Sequence, residues 1–196
     1  MELMREKRID TEMANRLWMD LYFEKGKAWL PVLTDSMVPL IKPGDRVLMS
    51  GVASEQIRRG DIIVFKRNGN LYVHRVLKKW RTPSGIALTE KGDGTYRYGR
   101  VRADDVIGRV MAVKSNQKVY VLTAPFGRLA SRALSLLFYG TILVTNPFIT
   151  STSRSIRKVG KVLLWASLVF SSTLIRICSI IWQTSGLGYR SNPDSL

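Results

Sequence analysis

Asp61-Ile62-Ile63-Val64-Phe65-Lys66-Arg67-Asn68-Gly69-Asn70-Leu71-Tyr72-Val73-His74-Arg75-Val76-Leu77 is the stretch that decides the fold. Two runs rich in β-branched and aromatic residues flank Arg67-Asn68-Gly69-Asn70, and Asn and Gly both accept positive φ. The stretch therefore predicts a β-hairpin, with strands over Asp61–Lys66 and Leu71–Leu77. The period of two along the second strand puts Tyr72, His74 and Val76 on one face.

Further short strands are predicted on either side, at Ala28–Leu33, Arg46–Met49, Ile86–Glu90 and Val106–Val113, each bounded by turn residues. So many short pieces at close spacing indicate a mainly β fold, mostly antiparallel, over residues 27–123. An internal echo punctuates it. Ile41-Lys42-Pro43-Gly44-Asp45 and Ile57-Arg58-Arg59-Gly60-Asp61 each precede a hydrophobic strand. Gly permits the tight turn and Asp accepts from nearby backbone, so both aspartates read as structural.

Upstream, Ile9, Met13, Leu17 and Leu21 recur every four residues, which predicts an amphipathic helix from Ile9 to Gly26 within an N-terminal segment 1–26. Downstream of Ala124-Pro125 the composition changes. Residues 133–149 form an apolar run, Ser151 to Lys161 a basic connector, and residues 162–182 a second apolar run interrupted by Arg176. These define a hydrophobic, basic extension over 124–196, ending in a loose tail from Ser185. A spanning helix needs about 20 predominantly apolar residues, so spanning and interfacial lying both stay open. If both runs span, the basic connector prefers the cytoplasm and the β portion lies outside; if only the second spans, it lies inside.

The 196 residues carry 31 Lys and Arg against 15 Asp and Glu, a formal net charge of +16. Residues 126–196 hold 8 basic side chains and 1 acidic one, interleaved with apolar runs. That combination fits a membrane surface better than a nucleic-acid groove. The N-terminal 30 residues also offer one helix, too little for a helix-turn-helix. The single cysteine, Cys178, excludes an intrachain disulfide framework and reads as a packed or lipid-facing thiol. One His and one Cys make no protein-only zinc site, and no Gly-rich phosphate cradle is present, so neither metal nor cofactor is expected. Residues 1–12 lack the continuous apolar core of a secretory signal.

Chemistry centres on Thr34-Asp35-Ser36-Met37-Val38-Pro39 and on His74. A serine hydroxyl needs a base to remove its proton as it attacks, and His74 is the only histidine available. A strand supplies the rigid placement a general base requires. The competing reading of a lone strand histidine is a satisfied structural or surface group. Met37 reads as filling an apolar pocket and Pro39 as fixing the turn after the serine.

Six motifs in order carry a resemblance. They are Thr34-x-Ser36-Met37-x-Pro39, Pro43-Gly44-Asp45, Gly60-Asp61-Ile62-Ile63-Val64-Phe65, Val73-His74-Arg75-Val76, Lys91-Gly92-Asp93 and Asp105-Val106-Ile107-Gly108. Together they resemble type I signal peptidases, over residues 32 to about 113. With His74 where the common bacterial branch has lysine, the chain is similar to the endoplasmic-reticulum and archaeal-type branch. The resemblance implies a serine endopeptidase acting on an extended segment of a secreted or membrane-linked precursor. Ser36 would be the nucleophile and His74 the base, with the Ser36 N–H and the Thr34 hydroxyl serving the oxyanion. It implies membrane association too, here through the C-terminal runs. Asp93 is the acid it offers; the alternative is that Asp93 only shapes a turn with Gly92 and Gly94. Gly99 stands about where the family has a second aspartate, and Asp104 and Asp105 are fallback candidates or a strand-entering turn. Asp35 departs from the glycine that commonly precedes the serine. A non-catalytic basic membrane- or peptide-binding module on the same scaffold is the alternative function.

Overall fold

The computed structural model describes residues 26–116, 118–150, 154–184 and 189–190. The strands among them build one nine-stranded antiparallel sheet. Its strands are β1 (Lys27–Pro31), β2 (Arg46–Ser50), β3 (Ile62–Arg67), β4 (Asn70–Thr82) and β5 (Gly85–Lys91), followed by β6 (Tyr98–Arg102), β7 (Val106–Ser115), β8 (Lys118–Val121) and β9 (Tyr189–Arg190). The order is β1-β2-β7-β3-β4-β5-β6, with β8 on β7 and β9 on β8. The expected N-terminal helix over Ile9–Gly26 lies outside the described residues, save for Gly26.

The predicted hairpin is present. Asn68 (φ 51°) and Gly69 (φ 79°) form its two-residue loop, and Val64 faces Val73 while Ile63 faces His74. β3 is central and covered on both faces, which is why Ile62-Ile63-Val64-Phe65 reads as an unbroken apolar run. Ile62 and Val64 join Val47, Met49, Val110 and Met37 in one core. Ile63 and Phe65 join Val76, Leu88 and Val101 in another, on the opposite face. The two echoed turns are alike. Lys42 N donates to Asp45 Oδ2 at 2.8 Å and Arg58 N to Asp61 Oδ2 at 2.9 Å, while Gly44 and Gly60 both have φ 90°.

Two helices follow the sheet, α1 (Pro125–Ile149) and α2 (Arg154–Thr184). Pro125 suits the first turn of α1, where its missing N–H has no partner to lose. Ser131 and Ser135, one turn apart, donate to the carbonyls of Gly60 (2.6 Å) and Val76 (2.8 Å). At Gly60 a Cβ would lie 2.9 Å from the Arg132 backbone nitrogen, so the glycine lets helix and turn meet. Leu134, Phe138 and Ile142 then pack with Leu77 of β4 and Ile175 of α2.

The structure corrects several expectations. α1 starts eight residues before the apolar run, and the basic connector is helical from Arg154. Among the described residues no helix is long and apolar enough to cross a membrane. Strands β6, β8 and β9 were not expected; Tyr189 and Arg190, placed in a loose tail, pair with Tyr120 and Val119.

Candidate active site

Ser36 sits in the turn between β1 and β2. Val38 N donates to Asp35 O (3.0 Å) and Ile41 N to Met37 O (3.0 Å), and the Val38–Pro39 peptide is cis. Met37, 1% exposed, anchors this turn in the core, as its apolar chemistry requires. Asp35 and Thr34 are exposed, and Ser36 is half-buried. The Ser36 hydroxyl lies 3.4 Å from that of Thr34.

The turn is tied to the end of β5. Gly94 N donates to Ser36 O at 2.9 Å. A Cβ built on Gly92 would stand 2.4 Å from Ser36 O and 3.2 Å from His74 Nε2. Serine backbone and imidazole therefore crowd the same point, and only a residue without a side chain fits between them. No hydrogen bond joins Ser36 Oγ to His74 among the described residues. Catalytic hydrogen bonds are often long without substrate and tighten once it is bound.

Asp93 is not the carboxylate that meets His74. That partner is Glu90, whose Oε2 lies 2.5 Å from His74 Nδ1. Strand register is the reason. Val76 faces Glu90 and Arg75 faces Lys91 across β4 and β5. Alternation then puts His74 and Glu90 on one face and Arg75, Lys91 and Asp93 on the other. Asp93 instead takes the buried Arg75 guanidinium in a two-pronged pair, Nε to Oδ1 at 2.8 Å and NH2 to Oδ2 at 2.6 Å. Arg75 also donates to Gly60 O and to the Ser131 hydroxyl. The pair thus fastens the Gly92–Gly94 loop to α1.

Glu90 is 1% exposed. Burial works to raise its carboxyl, but the hydrogen bond and charge of His74, and then those of Arg67, outweigh it and hold the group below its ordinary value. Arg67 NH2 reaches Glu90 Oε1 at 2.9 Å and Arg100 O at 2.8 Å. A carboxylate on Nδ1 favours, in the neutral ring, the tautomer with its proton there and Nε2 as the acceptor. The imidazole is held edge-on by Phe65 and Tyr72, with centroids 5.8 and 6.0 Å away.

Gly99 explains how Glu90 comes to hold this place. It faces Glu90 across β5 and β6, and a Cβ there would lie 2.1 Å from Glu90 Oε1. The carboxylate of Glu90 fills the space that a side chain at position 99 would claim. In the sequence, the signal was the glycine where an acid was expected, but it points to Glu90 only once the pairing is known. Asp104, in the 3₁₀ turn Ala103–Asp105 that leads into β7, pairs with exposed Arg102 at 2.8 Å, which is the turn reading.

Lys91, on the Arg75 face, is 3% exposed and lies 3.9 Å from the centre of the Phe138 ring. Burial pulls its amine down to about 8; Asp93 opposes that and Arg75 adds to it. A cleft of about 490 Å³ opens over His74 and Glu90, walled by Asp35, Arg67, Gly94 and Tyr96 among others. Among the described residues no cluster of His, Cys, Asp and Glu could hold a metal ion.

The serine turn and the His74 imidazole thus meet at Gly92 on an antiparallel sheet, and comparison gives the family. The Peptidase S24-like profile matches residues 5–111, more than half of the chain, and the chain belongs to that family. More particularly, it is related to the type I signal peptidases at modest identity. It is 36% identical over 90 residues to the signal peptidase complex catalytic subunit SEC11C of Homo sapiens, of Mus musculus and of Canis lupus familiaris. The match covers 40% of this chain and 47% of each relative, so the chain spans about half the length of the curated relatives it matches.

Proposed function

We propose that this chain is a serine endopeptidase of signal-peptidase type, with Ser36 as nucleophile, His74 as base and Glu90 as the acid that orients the base. The observation that carries the reading is the His74 imidazole, bound through Nδ1 to Glu90 while Nε2 faces the point where Ser36 abuts Gly92. Ser36 Oγ attacks the scissile carbonyl as Nε2 takes its proton, and the imidazolium returns that proton to the leaving amine. Water, activated by the same nitrogen, then hydrolyses the acyl-enzyme. The Ser36 N–H and the Thr34 hydroxyl serve the developing oxyanion, where one donor is worth about 2.7–4 kcal/mol of transition-state stabilisation. Asp93 has a supporting part, holding Arg75 and through it the Gly92–Gly94 loop.

The substrate is an extended segment of a secreted or membrane-linked precursor, laid along the cleft and paired with a sheet edge. The proposed location is the membrane surface. α2 exposes Trp165, Phe170 and Val162 beside Lys158 and Lys161, a combination suited to lying at a headgroup boundary. A fluorophosphonate, which phosphonylates an activated serine with loss of fluoride, tests the chemistry. It should label the wild type and leave Ser36→Ala and His74→Ala unlabelled; a wild type that stays unlabelled sinks the proposal. The second reading, a non-catalytic basic membrane- or peptide-binding module, has the Ser36–Thr34 hydroxyl contact in its favour. It predicts no labelling at all.

A further inference from the structure

A second cavity, about 360 Å³, opens where the Arg59-Gly60 turn, the middle of β7 and the first half of α1 meet. It shares no lining residue with the cleft over His74. Five arginines line it (Arg58, Arg59, Arg109, Arg128 and Arg132) against one carboxylate, Asp61. That carboxylate is already engaged, accepting from Arg58 N at 2.9 Å and from Arg109 NH1 at 3.4 Å. Arg59 lies over the Tyr139 ring, 5.4 Å from its centre, and Arg128 Nε donates to Thr123 O at 2.5 Å. No acceptor meets the guanidinium of Arg58 or Arg132 among the described residues.

The decisive atom is Arg109 Nε, which is buried and has no hydrogen-bond partner among the described residues. A buried donor without an acceptor costs stability, and native structures rarely leave one without a reason. Like charges gathered in a concave, partly enclosed space add a second penalty, and both are relieved by the same occupant. Guanidinium forks match phosphate oxygens in twos, with better geometry than a lysine ammonium. Sheet and helix hold these groups on two sides of one opening, as a ligand with several oxygens requires.

We infer that this cavity is a binding site for a phosphate-bearing anion. The chemistry is shared by a free phosphorylated molecule and by the headgroup of an acidic phospholipid. Nothing in the inference depends on the peptidase reading.

The test uses the full chain and two probes, inorganic pyrophosphate by calorimetry and vesicles of phosphatidylcholine with or without phosphatidic acid by sedimentation. Arg58→Gln/Arg132→Gln removes two exposed guanidiniums, and Arg109→Lys keeps the charge but loses the Nε donor. Lys66→Gln/Arg81→Gln removes two exposed charges away from the cavity. Melting without ligand checks that each variant folds. The expected result is pyrophosphate binding that weakens about tenfold or more in the cavity variants, the worth of one charge-assisted hydrogen bond, and holds in the control pair. Vesicle binding lost in the same variants, and displaced by pyrophosphate, assigns the headgroup. Pyrophosphate binding with no preference for phosphatidic acid assigns a soluble ligand. No pyrophosphate binding, or equal losses in cavity and control variants, overturns the site.

Discussion

Replacing Glu90 by Gln and Asp93 by Asn, each a near-isosteric loss of charge, separates the two carboxylates near His74. Glu90 accepts from Arg67 and meets His74 at 2.5 Å, so its amide would present an N–H to a nitrogen that itself carries a proton. The imidazole then turns to the wrong tautomer or loses its partner. The analogous loss in serine proteases lowers turnover about 10⁴-fold, and a fall of about 10³–10⁴-fold, some 4–5.5 kcal/mol in the barrier, is expected here. Stability should suffer less, by about 1–3 kcal/mol, because an amide still offers one acceptor to Arg67. The pH dependence has a definite sign. Glu90 is held below its ordinary 4.5, so its contribution is complete above that value and is lost as pH falls through the lower folded one. Glu90→Gln should flatten that acid limb.

Asp93→Asn does the reverse. Both members of the Arg75–Asp93 pair have side chains that are 0% exposed, so the substitution leaves a buried guanidinium short of its counter-charge. Such losses cost about 3–5 kcal/mol, or about 6–20 °C in Tm for a chain of this size. Below the melting transition the folded fraction should label far faster than Glu90→Gln. Fluorophosphonate labelling rates and near-UV melts on the two proteins give both readouts. Wild-type labelling in Glu90→Gln, together with an unlabelled Asp93→Asn of unchanged Tm, would refute the register argument.

Gly99→Asp alone should lower labelling and Tm, since its side chain enters the space of Glu90 Oε1, whereas Glu90→Ala/Gly99→Asp should label faster than Glu90→Ala. Thr34→Val keeps the shape but removes the hydroxyl; an oxyanion donor there predicts a fall in kcat of about 10²–10³-fold with little change in Tm. Gly92→Ala should abolish labelling, because its Cβ would sit 2.4 Å from Ser36 O, and an unimpaired variant would show that the two segments separate easily. Lys91, with its amine pulled from 10.5 down to about 8, binds its proton more weakly when folded. Stability should therefore rise with pH between those values, by up to about 3 kcal/mol, and urea titrations of Lys91→Met should lose that slope.

What could be read from the sequence was what local chemistry decides. The Asn68-Gly69 hairpin and the paired Gly-Asp turns depend on residues within a few positions of one another, and they formed as expected. β6 escaped because Tyr98-Gly99-Arg100-Val101-Arg102 alternates weakly and has a glycine, and β9 because two residues carry no period. The acid beside His74 escaped for a different reason. Choosing between Glu90 and Asp93 requires knowing which faces of β4 and β5 coincide, and the register shifts between Val76 and Lys78. A one-residue slip exchanges every side chain between faces, so proximity in the family motif pointed to Asp93 while the pairing delivers Glu90. For the first C-terminal run hydropathy alone leaves membrane depth and a packed core alike open; its Leu134, Phe138 and Ile142 turn their apolar face onto Leu77.

That last contact makes the helices part of the foundation. Arg75, next to His74 in the chain, finds its neutralising carboxylate in the Gly92–Gly94 loop and a further anchor on Ser131 of α1. A chain trimmed after residue 123 would uncover Leu77, strip Lys91 of its aromatic lid and leave that anchor empty. Such a fragment should precipitate or melt without a sharp transition, and the minimal unit worth expressing runs at least through Ile142.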